Sequence, residues 1–190
     1  TAGLAVSWRV RTREQISRMD KALYGDLVTP RLILTRYRSD YARYVEEFMR
    51  HGDDLRVMGG GSVKGKEVEA IANTYVRDNQ ESFDKRSKDG VRLAIVCTVT
   101  REFVGNVSVY RRGAYLELGF WIMPSYRRRH YGEEVVKFLS DMLIERGHKL
   151  EIRASSLSVA SGQIAESAGY QCVGVGHDKD LSFVLYRRDA

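Results

Sequence analysis

Three arginines and a histidine, Arg127, Arg128, Arg129 and His130, stand in a row where an apolar run ending at Pro124 gives way to a helical pattern starting near Tyr131 and Gly132. Backbone N–H groups at a helix start have no partner inside the helix, and the helix dipole adds partial positive charge there. Such a junction is a ready anion site, with the arginines adding full charges beside it. The helix itself is marked by Val135, Val136, Leu139, Met142 and Leu143, which form one apolar stripe. The same cations also fit a solvated basic turn. Just upstream, period-two alternation puts Tyr115, Glu117, Gly119 and Trp121 on one strand face and Leu116, Leu118, Phe120 and Ile122 on the other. A carboxylate among aromatics, close to a basic turn, has a physical reason to serve as a general base near neutral pH. A strand glutamate paired with an arginine on a solvated sheet face also fits the pattern.

Other candidate chemistry is thin. Gly60 to Lys66 satisfies the G-x-x-x-x-G-K part of a phosphate loop, but Glu67 stands where a magnesium-binding Ser or Thr is required. A flexible glycine loop before a helix is expected instead. His51, His130, His148 and His177 are scattered and no Cys/His pair has metal-ligand spacing, so no metal is expected. Cys97 and Cys172 both fall in apolar, strand-like stretches and read as reduced core residues.

These groups need a scaffold to position them. Residues 1–26 read as an Arg-rich appendage, with a short helix suggested around Arg13 to Tyr24, and 27–190 as one domain. Leu27 to Tyr37 reads as a strand, entered at Pro30. Asp40 is the expected N-cap of a helix carrying Tyr41, Tyr44, Val45, Phe48 and Met49. A second helix carries Val68, Ile71, Ala72, Tyr75 and Val76. Val91 to Val99, Phe103 to Tyr110 and Tyr115 to Ile122 are joined by short turns and should form an antiparallel meander. After the central helix come a strand at Lys149 to Ala154, a helix at Ser158 to Ala168 ended by Gly169, and a closing strand pair at Tyr170 to Gly176 and Leu181 to Arg187.

With 190 residues, 43% hydrophobic and 29% charged, the chain has the composition of a globular domain. No apolar run approaches the ~20 residues of a membrane span. The net charge of +6 favours an anionic partner: a phosphorylated cofactor, RNA or an acidic protein surface. The first residue is Thr, and the Arg-rich opening segment fits the remnant of a transit peptide better than a secretion signal. Reduced cysteines fit an intracellular location, cytoplasm or organelle matrix.

Read together, this order of elements resembles the GNAT family of acyl-CoA-dependent N-acyltransferases, nearest the branch that acetylates the N-terminal amines of ribosomal proteins. The resemblance runs from about Leu27 to Arg188. It rests on Thr29-Pro30-Arg31-Leu32-Ile33-Leu34, on Leu118-Gly119-Phe120-Trp121-Ile122-Met123-Pro124-Ser125-Tyr126-Arg127, and on Ser161 followed by Ala165-Glu166-Ser167-Ala168-Gly169-Tyr170. It implies a mixed α+β fold with a central, mostly antiparallel sheet of six to seven strands and about four helices. It also implies acetyl-CoA as co-substrate, its pantetheine arm pairing with the backbone of Trp121, Ile122 and Met123 and its pyrophosphate on the amides from Arg127 to Gly132. Glu117 would take a proton from the acceptor amine, a protein N-terminus, a lysine or a small amine. Ser161 would hydrogen-bond the departing thiolate, with Ser158 in the place of the branch's asparagine. The chain departs from the family loop Arg/Gln-Gly-x-Gly-x-Ala at Arg128 and His130, which replace its glycines, and at Gly132, which replaces its alanine. Either the arginines take over phosphate contacts, or the fold has lost its cofactor and serves as a non-catalytic subunit binding RNA or a ribonucleoprotein. The run Tyr126 to Tyr131, aromatics flanking cations, suits the second role as well as the first.

Overall fold

A computed structural model describes residues 19–51, 67–178 and 181–189. The suggested helix over 13–24 lies mostly outside them, as does the glycine loop at 60–66. At the edge of the described chain, Met19 and Leu23 are buried in the core, Leu23 within a short 3₁₀ turn (Lys21–Tyr24).

The stretch expected to enter the sheet as one strand is two. β1 (Leu27–Val28) and β2 (Leu32–Thr35) pair antiparallel around a tight turn at Pro30 and Arg31, closed by a bond from Thr29 N–H to the Leu32 carbonyl. Pro30 has no N–H to give to a ladder and its ring presets a turn conformation, so the chain reverses there. The split raises the count to eight strands, against the six to seven expected. The N-cap also differs: Asp40 pairs with Arg38 at 3.0 Å inside a 3₁₀ turn (Ser39–Tyr41), and α1 (Ala42–Arg50) starts after it. α2 (Glu67–Asp84) follows.

β3 (Gly90–Cys97), β4 (Phe103–Arg112) and β5 (Tyr115–Ile122) form the antiparallel meander. α3 (Tyr131–Glu145) carries the chain to β6 (Lys149–Ser155), which lies parallel to β5, as a strand–helix–strand crossover requires. α4 (Val159–Ser167), β7 (Gln171–Asp178) and β8 (Leu181–Arg188) complete one mixed, mostly antiparallel sheet in the order β1-β2-β3-β4-β5-β6-β8-β7. Because strand side chains alternate between faces, two cores form. One joins Leu93, Ile95, Leu116 and Leu118 to Val135, Val136, Leu139 and Leu143 of α3. The other joins Ala94, Val96, Trp121 and Met123 to Val45 and Phe48 of α1 and Val68, Ala72 and Val76 of α2. Cys97 is buried, but Cys172 is exposed, contrary to its reading as a core residue. It lies on β7, the sheet's outermost strand, where Val173 and Val175 are exposed too. Among the described residues no helix is long and apolar enough to cross a membrane, and no cluster of three or more His, Cys, Asp or Glu side chains could hold a metal ion.

The feature that matters for function is an interruption. β5 and β6 pair only at Tyr115–Lys149, Leu116–Leu150 and Glu117–Glu151, although both strands run on, β5 to Ile122 and β6 to Ser155. Over that stretch β6 stays paired with β8 as far as Ser155. The sheet therefore opens between β5 and β6 beyond Glu117.

Candidate active site

Two lobes meet at this opening. The first, about 650 Å³, lies between the end of β5, the start of α3 and α4. The second, about 440 Å³, lies over β3, β4 and β5 and reaches β6 and β8. Phe120 and Ser161 line both.

The first lobe is built on an unusual turn. After a 3₁₀ turn at Pro124–Tyr126, Arg128 and His130 both take left-handed backbone, with φ of 59° and 60°. Side chains with a Cβ resist this region, by roughly 1–2 kcal/mol per residue. The structure thus keeps, at the two positions where the family loop has glycine, a conformation that glycine would give freely. Both residues are exposed and line the lobe. Gly132 is buried in the first turn of α3; a Cβ there would stand 3.2 Å from Ile164 Cδ1 and 3.3 Å from Phe120 Cε2, so the glycine lets the helix start approach both.

A second segment holds this turn in place. Arg31 donates from Nε to Glu134 Oε2 at 2.6 Å and from Nη1 to the Arg129 carbonyl at 3.0 Å, and its guanidinium lies 4.7 Å from the Tyr131 ring centre. Glu134 also accepts from Thr29 Oγ1 at 2.6 Å and from the Arg31 N–H at 3.0 Å. Burial alone would raise the Glu134 carboxyl, but the bonds from Thr29 and Arg31 outweigh it and hold it below the ordinary glutamate value. The Thr29-x-Arg31 signature is thus a clamp on the α3 start. Nearby, Tyr126 donates to Glu102 at 2.7 Å, and burial together with this bond pushes its hydroxyl up to about 12.

The residues expected at the site come together unevenly. Trp121, Ile122, Arg127, Arg128, His130, Tyr131, Gly132, Ser158 and Ser161 all line the first lobe. Met123 is buried beneath it, its N–H bonded to the Val104 carbonyl at 2.8 Å. Because backbone groups alternate along a strand, Trp121 also turns its N–H toward β4, and of the three only Ile122 turns its peptide groups to the opening. Its carbonyl accepts from Arg127 Nε at 3.1 Å. Arg129 turns away too, over the Tyr126 ring at 5.3 Å. His130 Nδ1 lies 2.9 Å from Glu133 Oε2 and the Ser158 and Ser161 hydroxyls are 2.8 Å apart.

Glu117 lines the second lobe with Ser161. It accepts from Arg112 Nε at 2.6 Å, and Arg153 Nε lies 3.5 Å away. Arg92, Arg112 and Arg153 line this lobe as well, with Tyr75, Tyr110 and Phe183. None of these was expected at the site from sequence, where Tyr75 reads only as part of a helix's apolar face, because the register that gathers them is a long-range property.

A model of the acetyltransferase (GNAT) domain matches residues 31–171. The chain belongs to the GNAT acetyltransferase family. Comparison with curated protein sequences gives no match. Solved structures share the fold at low identity. A Vibrio cholerae protein assigned as a ribosomal-protein-serine acetyltransferase is 20% identical with a TM-score of 0.71, covering 87% of this chain and 97% of its own. RimL, a ribosomal L7/L12 α-N-protein acetyltransferase in complex with coenzyme A, is 14% identical with a TM-score of 0.68, over 86% of this chain and 96% of its own. The microcin C7 self-immunity acetyltransferase MccE, in complex with acetyl-CoA and AMP, is 11% identical with a TM-score of 0.67, over 85% and 94%. In this GNAT chain β5 and β6 part beyond Glu117, and the two lobes share Phe120 and Ser161 beside that opening.

Proposed function

We propose that the chain is an acetyl-CoA-dependent N-acetyltransferase whose acceptor is a protein N-terminal amine. The observation that carries this reading is the pair of lobes joined at Phe120 and Ser161 through the open sheet, one beside an anion-favouring helix start and one on the far side. The residues of the first lobe suit coenzyme A. Its turn keeps left-handed backbone at Arg128 and His130, Arg127 and Arg128 bring positive charge, and its volume is within the range of ligand pockets. The retained backbone also weakens the reason for reading the chain as a non-catalytic RNA-binding subunit, since that reading rested on the missing glycines. RimL, an α-N-protein acetyltransferase of ribosomal L7/L12, supports the choice of a protein N-terminus, and the Vibrio ribosomal-protein-serine acetyltransferase supports a protein acceptor.

When bound, acetyl-CoA would supply an acetyl thioester that an amine attacks directly, forming the C–N bond and breaking the C–S bond. Ser161, oriented by Ser158, is positioned where the lobes meet to donate to the leaving sulfur. Glu117, the carboxylate that lines the acceptor lobe among the described residues, takes the proton lost by the amine, directly or through water. Its bond to Arg112 fixes the carboxylate and has to yield or share that oxygen as the proton arrives. No covalent enzyme intermediate is required. The Arg127 side chain covers the Ile122 carbonyl, so the arm of the cofactor pairs there only after that contact opens.

Isothermal titration with acetyl-CoA, followed by mass spectrometry of N-terminal peptides incubated with the protein and cofactor, tests the reading. One-to-one binding and a gain of one acetyl on the α-amine are expected. No binding up to millimolar acetyl-CoA, with salt-dependent RNA binding in its place, would overturn it in favour of the non-catalytic role.

A further inference from the structure

The second lobe carries charge of the wrong sign for an amine alone. On the sheet face toward α2, Arg92 of β3 pairs with Ser108 of β4, which pairs with Gly119 of β5. In the next row stand Gly90, Tyr110 and Glu117. Ser108 and Gly119 are too small to fill their row, and a hollow remains above them; a Cβ on Gly119 would reach within 2.8 Å of Ser108 Oγ. Arg92 borders this hollow. Its guanidinium lies 5.3 Å from the Tyr75 ring centre and 5.0 Å from that of Tyr110, and Nη1 donates to Asn79 Oδ1 at 3.3 Å. These partners are all neutral. The other arginines here are matched, Arg112 to Glu117 and Arg153 to Glu117 and Glu151, whereas among the described residues no carboxylate pairs with Arg92.

A half-buried guanidinium has five donors and a charge that neutral partners and ring faces satisfy only in part. With Arg92, Arg112 and Arg153 facing the lobe against Glu117, an occupant that brings a negative charge is favoured. The geometry points to an anionic acceptor, and, resting on the reading as an N-terminal acetyltransferase, to a peptide with Asp or Glu at its second or third residue, bound there by Arg92. The spacing agrees. β3 lies two strand spacings, about 10 Å, from β5, and an extended peptide advances about 3.3 Å per residue. An α-amine at the junction of the lobes therefore sets the second or third residue about 3–7 Å further along, and its acidic side chain, added to the length of the Arg92 side chain, covers the rest of that distance.

The test compares transfer from acetyl-CoA to three peptides differing only at positions two and three, Asp-Asp, Asn-Asn or Lys-Lys, and to phosphoethanolamine as a small anionic amine. Wild type, Arg92→Gln and Arg92→Lys are each measured, with peptide binding followed by calorimetry in the presence of coenzyme A. In the wild type, kcat/KM for the Asp-Asp peptide should exceed that for Asn-Asn by tenfold or more. Arg92→Gln should abolish the preference mainly through KM while leaving acetyl-CoA affinity unchanged, and Arg92→Lys should restore part of it. Equal use of Asp-Asp and Asn-Asn, or a preference that survives Arg92→Gln, would overturn the inference; phosphoethanolamine preferred over every peptide would overturn its peptide part. Absence of acetyl-CoA binding would sink the acetyltransferase reading instead, and the calorimetric preference for the acidic peptide would still decide the role of Arg92.

Discussion

His130 and Arg128 hold a backbone conformation that side chains resist, and the two strains have different uses. Both line the first lobe, but His130 stands at the N-cap of α3, its carbonyl accepting from the Glu134 N–H at 3.0 Å and its ring meeting Glu133, whereas Arg128 has charge to offer a phosphate. Replacement by glycine relieves strain in the folded chain but adds freedom to the unfolded one, about 0.4–1 kcal/mol. His130→Gly should therefore leave folding stability unchanged or raise it by up to about 1.5 kcal/mol, measured by denaturant unfolding. Arg128→Gly and Arg128→Ala separate backbone from charge. If the guanidinium contacts phosphate, both should weaken acetyl-CoA binding about tenfold by titration, in line with the low end, about 1.5 kcal/mol, for a hydrogen bond to a charged group. At Glu117 the expected outcome is chemical. Glu117→Gln should bind acetyl-CoA as the wild type does while losing about 100-fold or more in kcat. Unchanged turnover would take Glu117 out of the mechanism.

The clamp between the β1–β2 turn and the start of α3 works as a unit. The Thr29-Pro30-Arg31 signature is legible in the sequence, but not what it touches, because Glu134 stands 103 residues from Arg31. The same limit hid Arg92, which reads as one polar residue in an apolar strand until register sets it beside Ser108. The meander, α3 and the basic turn were legible because alternation, helical spacing and short turns are local. The opening between β5 and β6 was not, since it depends on β6 following β8 rather than β5. Removing the clamp tests its role. Arg31→Ala should cost about 1 kcal/mol of stability, below the ~1.5–3 kcal/mol of a charged bond out of water because the Arg31 side chain is 48% exposed, and should weaken acetyl-CoA binding without touching the cofactor. Acid should mimic it. Glu134 has a folded pKa below its unfolded one, so its contribution is present above the ordinary glutamate value, about 4.3, and is lost as pH falls through the lower folded value. Stability should thus decline in that acidic window in the wild type, and the part of the decline due to this group should vanish in Glu134→Gln.

At the scale of the whole molecule, the sheet holds two cores on its opposite faces and the two lobes interrupt them where β5 parts from β6. A ligand in the first lobe would bridge β5, α3 and α4, elements joined there mainly by their contacts with one another rather than by a continuous ladder. Binding to the folded chain alone stabilises it by RT ln(1 + [L]/Kd), about 2.7 kcal/mol at one hundred times Kd. For a chain of this size each kcal/mol raises the melting temperature by about 2–4 °C, so saturating acetyl-CoA should raise Tm by about 5–11 °C. Salt divides the sources of that shift. The Debye length falls from about 10 Å at 0.1 M to about 3 Å at 1 M, which screens exposed Arg127 and Arg128 but not hydrogen bonds from the helix start or apolar contacts with Phe120 and Trp121. The shift should shrink yet persist at 1 M salt. Were it to vanish, the arginines alone would be holding the ligand, and the left-handed turn kept at Arg128 and His130 would have no part in binding it.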